Sequence, residues 1–196
     1  MADKRKIAFQ GVPGAYSHMA CNTHAPKHIP LPCESFSEMI AAVQNGDAEL
    51  AMVPVENSTA GRVADIHHLL PESGLYIIGE HYQPVHHKLL GLKGVRPEQI
   101  KEVHSHEQGL AQCRKSLRAH GIKPVIHTDT AGAAKDIAAR GEPHIGAVAS
   151  ALAAEIYNLD ILDADILDEN TNTTRFLIMS RDCLLYTSDA ADDELG

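Results

Sequence analysis

The chain has 196 residues, which is long enough for one large domain or two small lobes with a substantial buried core. Hydrophobic residues make up 44%, charged residues 22% and aromatic residues only 4%, a balance that argues against disorder and against a surface for stacking nucleic-acid bases. The 26 acidic residues outnumber the 17 basic ones, and no Lys/Arg cluster indicates nucleic acid or an anionic membrane as a partner.

The N-terminus and the cysteines favour the cytoplasm. The charged start runs into Ile7-Ala8-Phe9, which is too short for the core of a signal peptide, and no apolar stretch of membrane-spanning length follows. The 4 cysteines are far apart and form no Cys-x-x-Cys pair, so the sequence predicts reduced thiols rather than a zinc site or a disulfide framework.

Short strands alternate with short helices along the chain. This alternation predicts an α/β protein whose parallel strands are covered by helices. The last strand would return to the first sheet, and an extended run over 82–92 would cross between two lobes. The predicted strands are 6–10, 29–35, 50–55, 75–78, 102–104, 125–127, 145–148, 161–163 and 175–179, and the predicted helices are 15–20, 37–45, 63–70, 109–120, 131–140 and 151–157.

Residues 183–196 do not continue the alternation of strands and helices. The segment from Cys183 to Asp192 resembles the in-frame translation of a sequencing-library adaptor. We interpret 183–196 as a non-native, disordered tail, and a genuine acidic tail is the alternative.

Polar residues follow several strands. At the first junction Gly14 precedes Tyr16 and Ser17, where a helix N-terminus can bind a carboxylate or phosphate, although a tight turn is the simpler explanation. At the second, Asn57 or Ser58 is either a helix N-cap or a ligand-binding residue at a strand end.

The later junctions leave similar alternatives open. Ser105 is placed to cap the helix that carries Gln112, and the remainder of that helix face would be solvated. A catalytic triad or Cys/His pair with His106 or Cys113 is the less favoured alternative, because no Gly-x-Ser-x-Gly motif surrounds any serine. Arg175 follows a polar loop and suits either an ion pair or an anionic ligand. The histidine doublets at 67–68 and 86–87 lie outside any His-Glu-x-x-His pattern, so we predict no metal site.

Taken in order, these segments resemble the prephenate dehydratase family over residues 4–182. The sequence departs from the family at His68, Glu107 and Gly109, where Asp, Pro and Ala are common. The matching signatures are Gly11-x-x-Gly14-Ala15-Tyr16-Ser17, Val55-Glu56-Asn57-Ser58-x-x-Gly61, His87-x-Leu89, Ser105-His106-x-Gln108 and Asn172-x-Thr174-Arg175-Phe176.

The resemblance implies two α/β lobes like a type II periplasmic binding protein, with an active-site cleft between them and no cofactor. We expect lobe 1 at 4–78 and 162–182 and lobe 2 at 79–161. The family also implies a homodimer or larger homo-oligomer and a following ACT domain that binds phenylalanine. No such domain or Glu-Ser-Arg-Pro signature follows residue 182 here, which truncation would explain.

The family's reaction is the loss of water and CO₂ from prephenate, giving phenylpyruvate for phenylalanine biosynthesis. The resemblance makes Thr174 the residue that hydrogen-bonds or protonates the departing hydroxyl. Glu56, if buried, would be a general acid or would position a neighbour. Arogenate dehydratase and a non-enzymatic ligand-binding module of the same fold are the alternatives. The expected substrate-binding residues are Tyr16, Ser17, Asn57, Ser58, Ser105, Gln112 and Arg175.

Overall fold

The computed structural model describes residues 5–169 and 171–183, so 184–196 of the predicted tail lie outside the described residues. The alternation of strands and helices confirms the predicted α/β class. The strands are β1 (Lys6–Gln10), β2 (Ile29–Cys33), β3 (Leu50–Asn57), β4 (Gly61–Arg62), β5 (Tyr76–Pro84), β6 (Lys88–Gly91), β7 (Glu102–Ser105), β8 (Lys123–Ile126), β9 (Ile145–Ala149), β10 (Asp160–Asp163) and β11 (Thr173–Ser180).

The helices of the described residues are short. None of them combines the length and the apolar character that a membrane span requires. They are α1 (Tyr16–His24), α2 (Phe36–Gln44), α3 (Ala64–Leu69), α4 (Glu107–Gln112), α5 (Arg114–Ala119), α6 (Thr130–Arg140) and α7 (Ala151–Ile156).

The described chain divides into two compact units. The first comprises 5–11, 17–83 and 173–183, and the second comprises 12–16 and 84–172 with the gap at 170. The chain therefore changes unit after residues 11, 16, 83 and 172, whereas we predicted changes only after 78 and 161. The last two changes come later than predicted because β5 continues to Pro84 in the first sheet, and because β10 pairs with β6 in the second. The predicted cleft stays a prediction.

The first unit contains a mixed sheet in the order β2-β1-β3-β11-β5, with β4 paired to β3. Strand β1 is parallel to β2 and β3, whereas β11 is antiparallel to β3, so the predicted return of the last strand is confirmed. Neighbouring side chains on a strand point to opposite faces of the sheet, and both faces carry buried apolar side chains. Phe9, Met52 and Phe176 pack in one apolar cluster, and Val53 and Met179 pack in another.

The second unit contains a mixed sheet in the order β10-β6-β9-β7-β8. Its central strand β9 is wholly buried, antiparallel to β6 and parallel to β7. The helix predicted at 109–120 is divided into α4 and α5 at Cys113, which lies outside helical geometry. The division is stabilised by Asp168, whose carboxylate accepts hydrogen bonds from the N–H groups of Lys115 (2.8 Å) and Ser116 (3.0 Å) in the first turn of α5.

Residues 12–16 are bound to helix α7 of the second unit. Ser150 Oγ donates to the carbonyl of Gly14 (2.6 Å), and Tyr157 Oη donates to the carbonyl of Pro13 (2.6 Å). Gly14 has φ +92°, and a Cβ there would lie 2.9 Å from Ala153 Cα. Glycine is therefore required both by the backbone conformation and by the close approach of α7.

We expect Gly14→Ala to lower the free energy of unfolding by roughly 2–4 kcal/mol, because left-handed strain adds to overlap with backbone atoms. Urea denaturation measures the loss. The matched control is Gly94→Ala, since Gly94 also has positive φ (+77°) but no atom lies within 4 Å of its Cβ position. The control should lose only about 1 kcal/mol from strain. Equal losses in the two variants would contradict the role of the α7 contact.

Candidate active site

Asn57 and Thr174 form a side-chain pair in the first unit. They are opposite each other in the β3–β11 ladder, and Asn57 Nδ2 donates to Thr174 Oγ1 (2.9 Å). Asn57 Oδ1 accepts from the N–H groups of Thr59 (3.0 Å) and Ala60 (2.9 Å), which fixes the orientation of the amide. Within residues 5–169 and 171–183 the Thr174 hydroxyl only accepts, so its proton is left for a ligand.

A β-bulge in β3 places Asn57 opposite Thr174. Phe176 lies opposite Pro54, and Thr174 lies opposite Asn57. The two pairs are two residues apart on β11 but three residues apart on β3. One extra residue of β3 therefore stands between the two pairs. In an uninterrupted register Glu56 would face Thr174, because a shift of one residue exchanges the faces of a strand.

The segment after β3 is a turn into β4, so the helix-cap alternative for Asn57 or Ser58 is wrong. Helix α3 begins later, with Val63 at the N-cap position. Asn57 instead closes the turn, and Ser58 is bound to β11. The Ser58 N–H donates to the carbonyl of Thr173, and the Thr173 N–H donates to Ser58 Oγ, both at 2.9 Å.

Glu56 and Arg175 lie next to this pair. The Glu56 side chain is exposed, so the burial on which its role as a general acid depended is not found. Arg175 donates from Nε (2.9 Å) and Nη2 (2.8 Å) to Glu80 Oε2 on β5. The Glu80 carboxylate raises the pKa of the Arg175 guanidinium, and Glu56 adds to the effect. Of the two alternatives for Arg175, this geometry favours the ion pair.

Tyr16 and His87 form a hydrogen-bonded pair in the second unit. Tyr16 Oη lies 3.1 Å from His87 Nδ1, and the rings meet edge to face with centroids 5.4 Å apart. His87 is 3% exposed. Burial lowers the pKa of His87 to about 4, with repulsion from His106 and His86 added, and burial raises the pKa of Tyr16, with Cys113 added. Both side chains are therefore neutral at pH 7.

Gln112 is tied to the loop that precedes β11. Asn172 Nδ2 donates to Gln112 Oε1 (2.7 Å), and the Asp168 N–H donates to the Gln112 carbonyl (2.8 Å). Gln112 Nε2 remains the donor of this amide. Burial raises the pKa of Asp168, but the hydrogen bonds from Lys115 and Ser116 outweigh it, so the pKa lies below its ordinary value.

Ser105 does not cap α4, so that prediction is wrong. His106 occupies the N-cap position, and its Nδ1 accepts from the N–H of Gln108 (3.3 Å). Ser105 is fully buried and its Oγ donates to the carbonyl of Val148 (2.5 Å), which joins β7 to β9. Ser17 is partly buried at the start of α1 and belongs to the first unit, whereas Tyr16 belongs to the second.

The prephenate dehydratase family model matches residues 7–183. The chain belongs to the prephenate dehydratase family. A Komagataeibacter europaeus relative, named bifunctional N-acyl-homoserine lactone acylase/prephenate dehydratase, is 51% identical over 181 residues, which are 92% of this chain and 64% of the relative. The Arabidopsis thaliana arogenate dehydratase/prephenate dehydratase 1, chloroplastic, is 42% identical over 186 residues, which are 95% of this chain and 47% of that protein.

A solved structure agrees with the family. The prephenate dehydratase from Arthrobacter aurescens, in complex with L-Phe, has a TM-score of 0.83 and 29% sequence identity, covering 91% of this chain and 61% of that one. The family predicted from the signatures is confirmed. The chain spans less than two thirds of the length of each of these three proteins.

In this prephenate dehydratase family member the expected site residues fall into two groups. Those of the first unit are Ser17, Glu56, Asn57, Ser58, Thr174 and Arg175, and those of the second are Tyr16, Ser105 and Gln112. Sequence reasoning assigned no role to His87 or Asp168. The signature His87-x-Leu89 was the available signal for the first, and no signal in the sequence distinguished the second. In the described part of the chain no cluster of His, Cys, Asp and Glu is arranged to hold a metal ion.

We expect acidification from pH 7 to pH 4 to destabilise the fold through His87. The pKa of His87 is about 4 in the folded protein against an ordinary 6.5, so between these values the unfolded chain binds a proton that the folded chain does not. The free energy of unfolding should fall by an amount on the order of 3 kcal/mol over this window. Urea unfolding at several pH values measures it.

His87→Asn should reduce this slope, since asparagine does not titrate. Asp168 contributes separately: its lowered pKa gives stability that is lost only below its ordinary pKa of 3.8. An unchanged slope between pH 6.5 and 4 in the variant would show that His87 is not the group responsible.

Proposed function

We propose that this chain is a cytoplasmic prephenate dehydratase, which converts prephenate to phenylpyruvate, water and CO₂ in phenylalanine biosynthesis. Family membership supports the chemistry. The observation that carries the proposal is the hydrogen bond from Asn57 Nδ2 to Thr174 Oγ1 (2.9 Å). It occupies the acceptor side of the Thr174 hydroxyl and leaves the proton for a departing group.

The proposed reaction breaks two bonds of the substrate. The bond to the ring carboxylate breaks to release CO₂, and its electron pair enters the ring. The carbon–oxygen bond breaks at the opposite ring carbon, and its electron pair leaves with the hydroxide, which becomes water when it takes a proton from solvent. The ring becomes aromatic, so the enzyme mainly has to orient the substrate and stabilise charge on the departing oxygen.

Thr174 is proposed to donate a hydrogen bond to that oxygen. A threonine hydroxyl is too weak an acid to give up its proton outright, so its contribution is a bond that strengthens as negative charge develops. The bond that Thr174 accepts from Asn57 polarises its hydroxyl and makes it a better donor. Because Glu56 is exposed, we assign it the electrostatic support of Arg175 rather than acid catalysis.

Neutral donors are proposed to bind the two carboxylates of prephenate. Gln112 Nε2 is preorganised, since Asn172 and Asp168 hold the rest of the residue. Tyr16, Ser17 and Ser58 are proposed as further hydroxyl contacts. Ser105 and Arg175 are proposed as supporting residues, because the proton of the first is committed to Val148 and the second is paired with Glu80.

We expect Thr174→Val to lower kcat by about 10²–10³-fold, the effect of removing one preorganised transition-state donor. Thr174→Ser keeps the hydroxyl and should stay within about tenfold of the parent. The rate is followed by the ultraviolet absorbance of phenylpyruvate.

Glu56→Gln is the matched control, since it removes a charge next to Asn57 without touching the Asn57–Thr174 bond. It should change kcat by less than about threefold, as expected for an exposed residue. Turnover by a folded Thr174→Val protein at the parental rate, with folding checked by urea denaturation, would disprove the role of Thr174.

Arogenate dehydratase is the second candidate function, because the Arabidopsis relative carries both names. Arogenate has an ammonium group where prephenate has a keto oxygen, so it requires hydrogen-bond acceptors at a position where prephenate requires donors. We expect the higher kcat/KM with prephenate, and the ratio of the two values decides between the candidates. Absence of turnover with both substrates would favour a non-enzymatic binding module.

The name of the Komagataeibacter relative includes N-acyl-homoserine lactone acylase, and this activity can be tested with the same protein preparation. Purified protein is incubated with an N-acyl-homoserine lactone and the release of free fatty acid is measured. Thr174→Val is the matched comparison. Release by the parent protein that survives this substitution would indicate a reaction independent of the proposed dehydratase chemistry.

A further inference from the structure

We propose that His87 is a positioning residue for Tyr16: its neutral imidazole holds the phenol and determines which way the Tyr16 hydroxyl donates. The proposal rests on the proposed function, in which Tyr16 contacts a carboxylate of the substrate. It adds a residue to which sequence reasoning gave no role. The observation that carries it is the distance of 3.1 Å between Tyr16 Oη and His87 Nδ1.

The imidazole of His87 is packed on two sides. Its ring meets the ring of Tyr16 edge to face, at an interplanar angle of 77°. Its other edge packs against the backbone of α4, where a Cβ on Gly109 would lie 3.3 Å from His87 Nε2 and 3.0 Å from Ser105 Oγ. The absence of a side chain at Gly109 thus lets α4 approach the imidazole closely.

Tyr16 is the last of five residues that are bound to the second unit. Pro13 and Gly14 are bound through their carbonyls to Tyr157 and Ser150. Those bonds fix the backbone of the segment, but they do not fix the phenol. The bond to His87 supplies the missing constraint, because it restricts both the ring and the hydroxyl.

His87 can orient the Tyr16 hydroxyl because its imidazole is neutral. A neutral imidazole has one donor nitrogen and one acceptor nitrogen, and either nitrogen can carry the proton. Without a ligand the phenol is the more acidic donor, so Tyr16 donates to Nδ1 and the His87 proton lies on Nε2. When a carboxylate accepts the Tyr16 proton in a hydrogen bond, solvent exchange moves the His87 proton to Nδ1, which donates to Tyr16 Oη. No net charge is created in either arrangement.

Nitrogen NMR of His87 tests this directly. In the free protein near pH 7 we expect an acceptor-type ¹⁵N shift for Nδ1 and an N–H-type shift for Nε2. Tyr16→Phe should remove the preference of the proton for Nε2. Saturating phenylpyruvate, used as the carboxylate probe, should give Nδ1 the N–H-type shift and Nε2 the acceptor-type shift. A charged His87, or a His87 spectrum that is unchanged both by Tyr16→Phe and by phenylpyruvate, would overturn the proposal.

Kinetics supply the second readout. His87→Leu should raise KM for prephenate about tenfold, the value of one net hydrogen bond, and change kcat by less than about threefold. His87→Asn places an amide where Nδ1 was and should recover most of the loss. Tyr16→Phe combined with His87→Leu should be no worse than Tyr16→Phe alone. His86→Asn is the matched control and should leave KM unchanged, because the His86 side chain is exposed.

Two outcomes would overturn the kinetic argument: KM values for His87→Asn as high as those for His87→Leu, or additive effects of Tyr16→Phe and His87→Leu. Failure of the proposed function is distinguishable. If the parent protein does not convert prephenate, the dehydratase assignment fails, while the NMR comparison of the parent with Tyr16→Phe still decides whether His87 positions Tyr16.

Discussion

The antiparallel pairing of β3 with β11 is the constraint on which the candidate chemistry depends. It brings Thr174 opposite Asn57, although the two are far apart in the chain. The bulge in β3 is as important as the pairing, because an uninterrupted register would offer the carboxylate of Glu56 to Thr174 in place of the Asn57 amide. A carboxylate accepts hydrogen bonds and would compete for the Thr174 proton, whereas the amide donates and leaves that proton available for the proposed substrate.

The second unit relies on buried neutral groups. Tyr16 and His87 are both uncharged at pH 7, since burial shifts the pKa of each towards its neutral form. Gln112 is held by the Asn172 side chain and by the Asp168 backbone. Neutral, preorganised donors suit the proposed substrate, a dianion that would lose one carboxylate as CO₂, because a strong ion pair at that carboxylate would stabilise the ground state.

Sequence reasoning succeeded where a local pattern has one physical explanation. Alternating strands and helices predicted the α/β class, and the ordered signatures predicted the family. It failed where the partner of a polar residue is distant in the chain. Ser105 was interpreted as a cap and instead donates to Val148, and Asn57, for which a helix cap was one of two alternatives, instead donates to Thr174. Burial was also not evident from the local sequence: Glu56, whose role as an acid depended on burial, is exposed.

The sequence by itself determined the α/β class, the family and the residue types available for chemistry, because periodicity and motif spacing are local properties of the chain. Only the tertiary structure decided how those residues are used. The register of β3 on β11, the division of α4 from α5 by Asp168 and the contact of His87 with Tyr16 all join residues that are distant in sequence. Such pairings depend on packing and on the competition among hydrogen-bond partners, which no local pattern encodes.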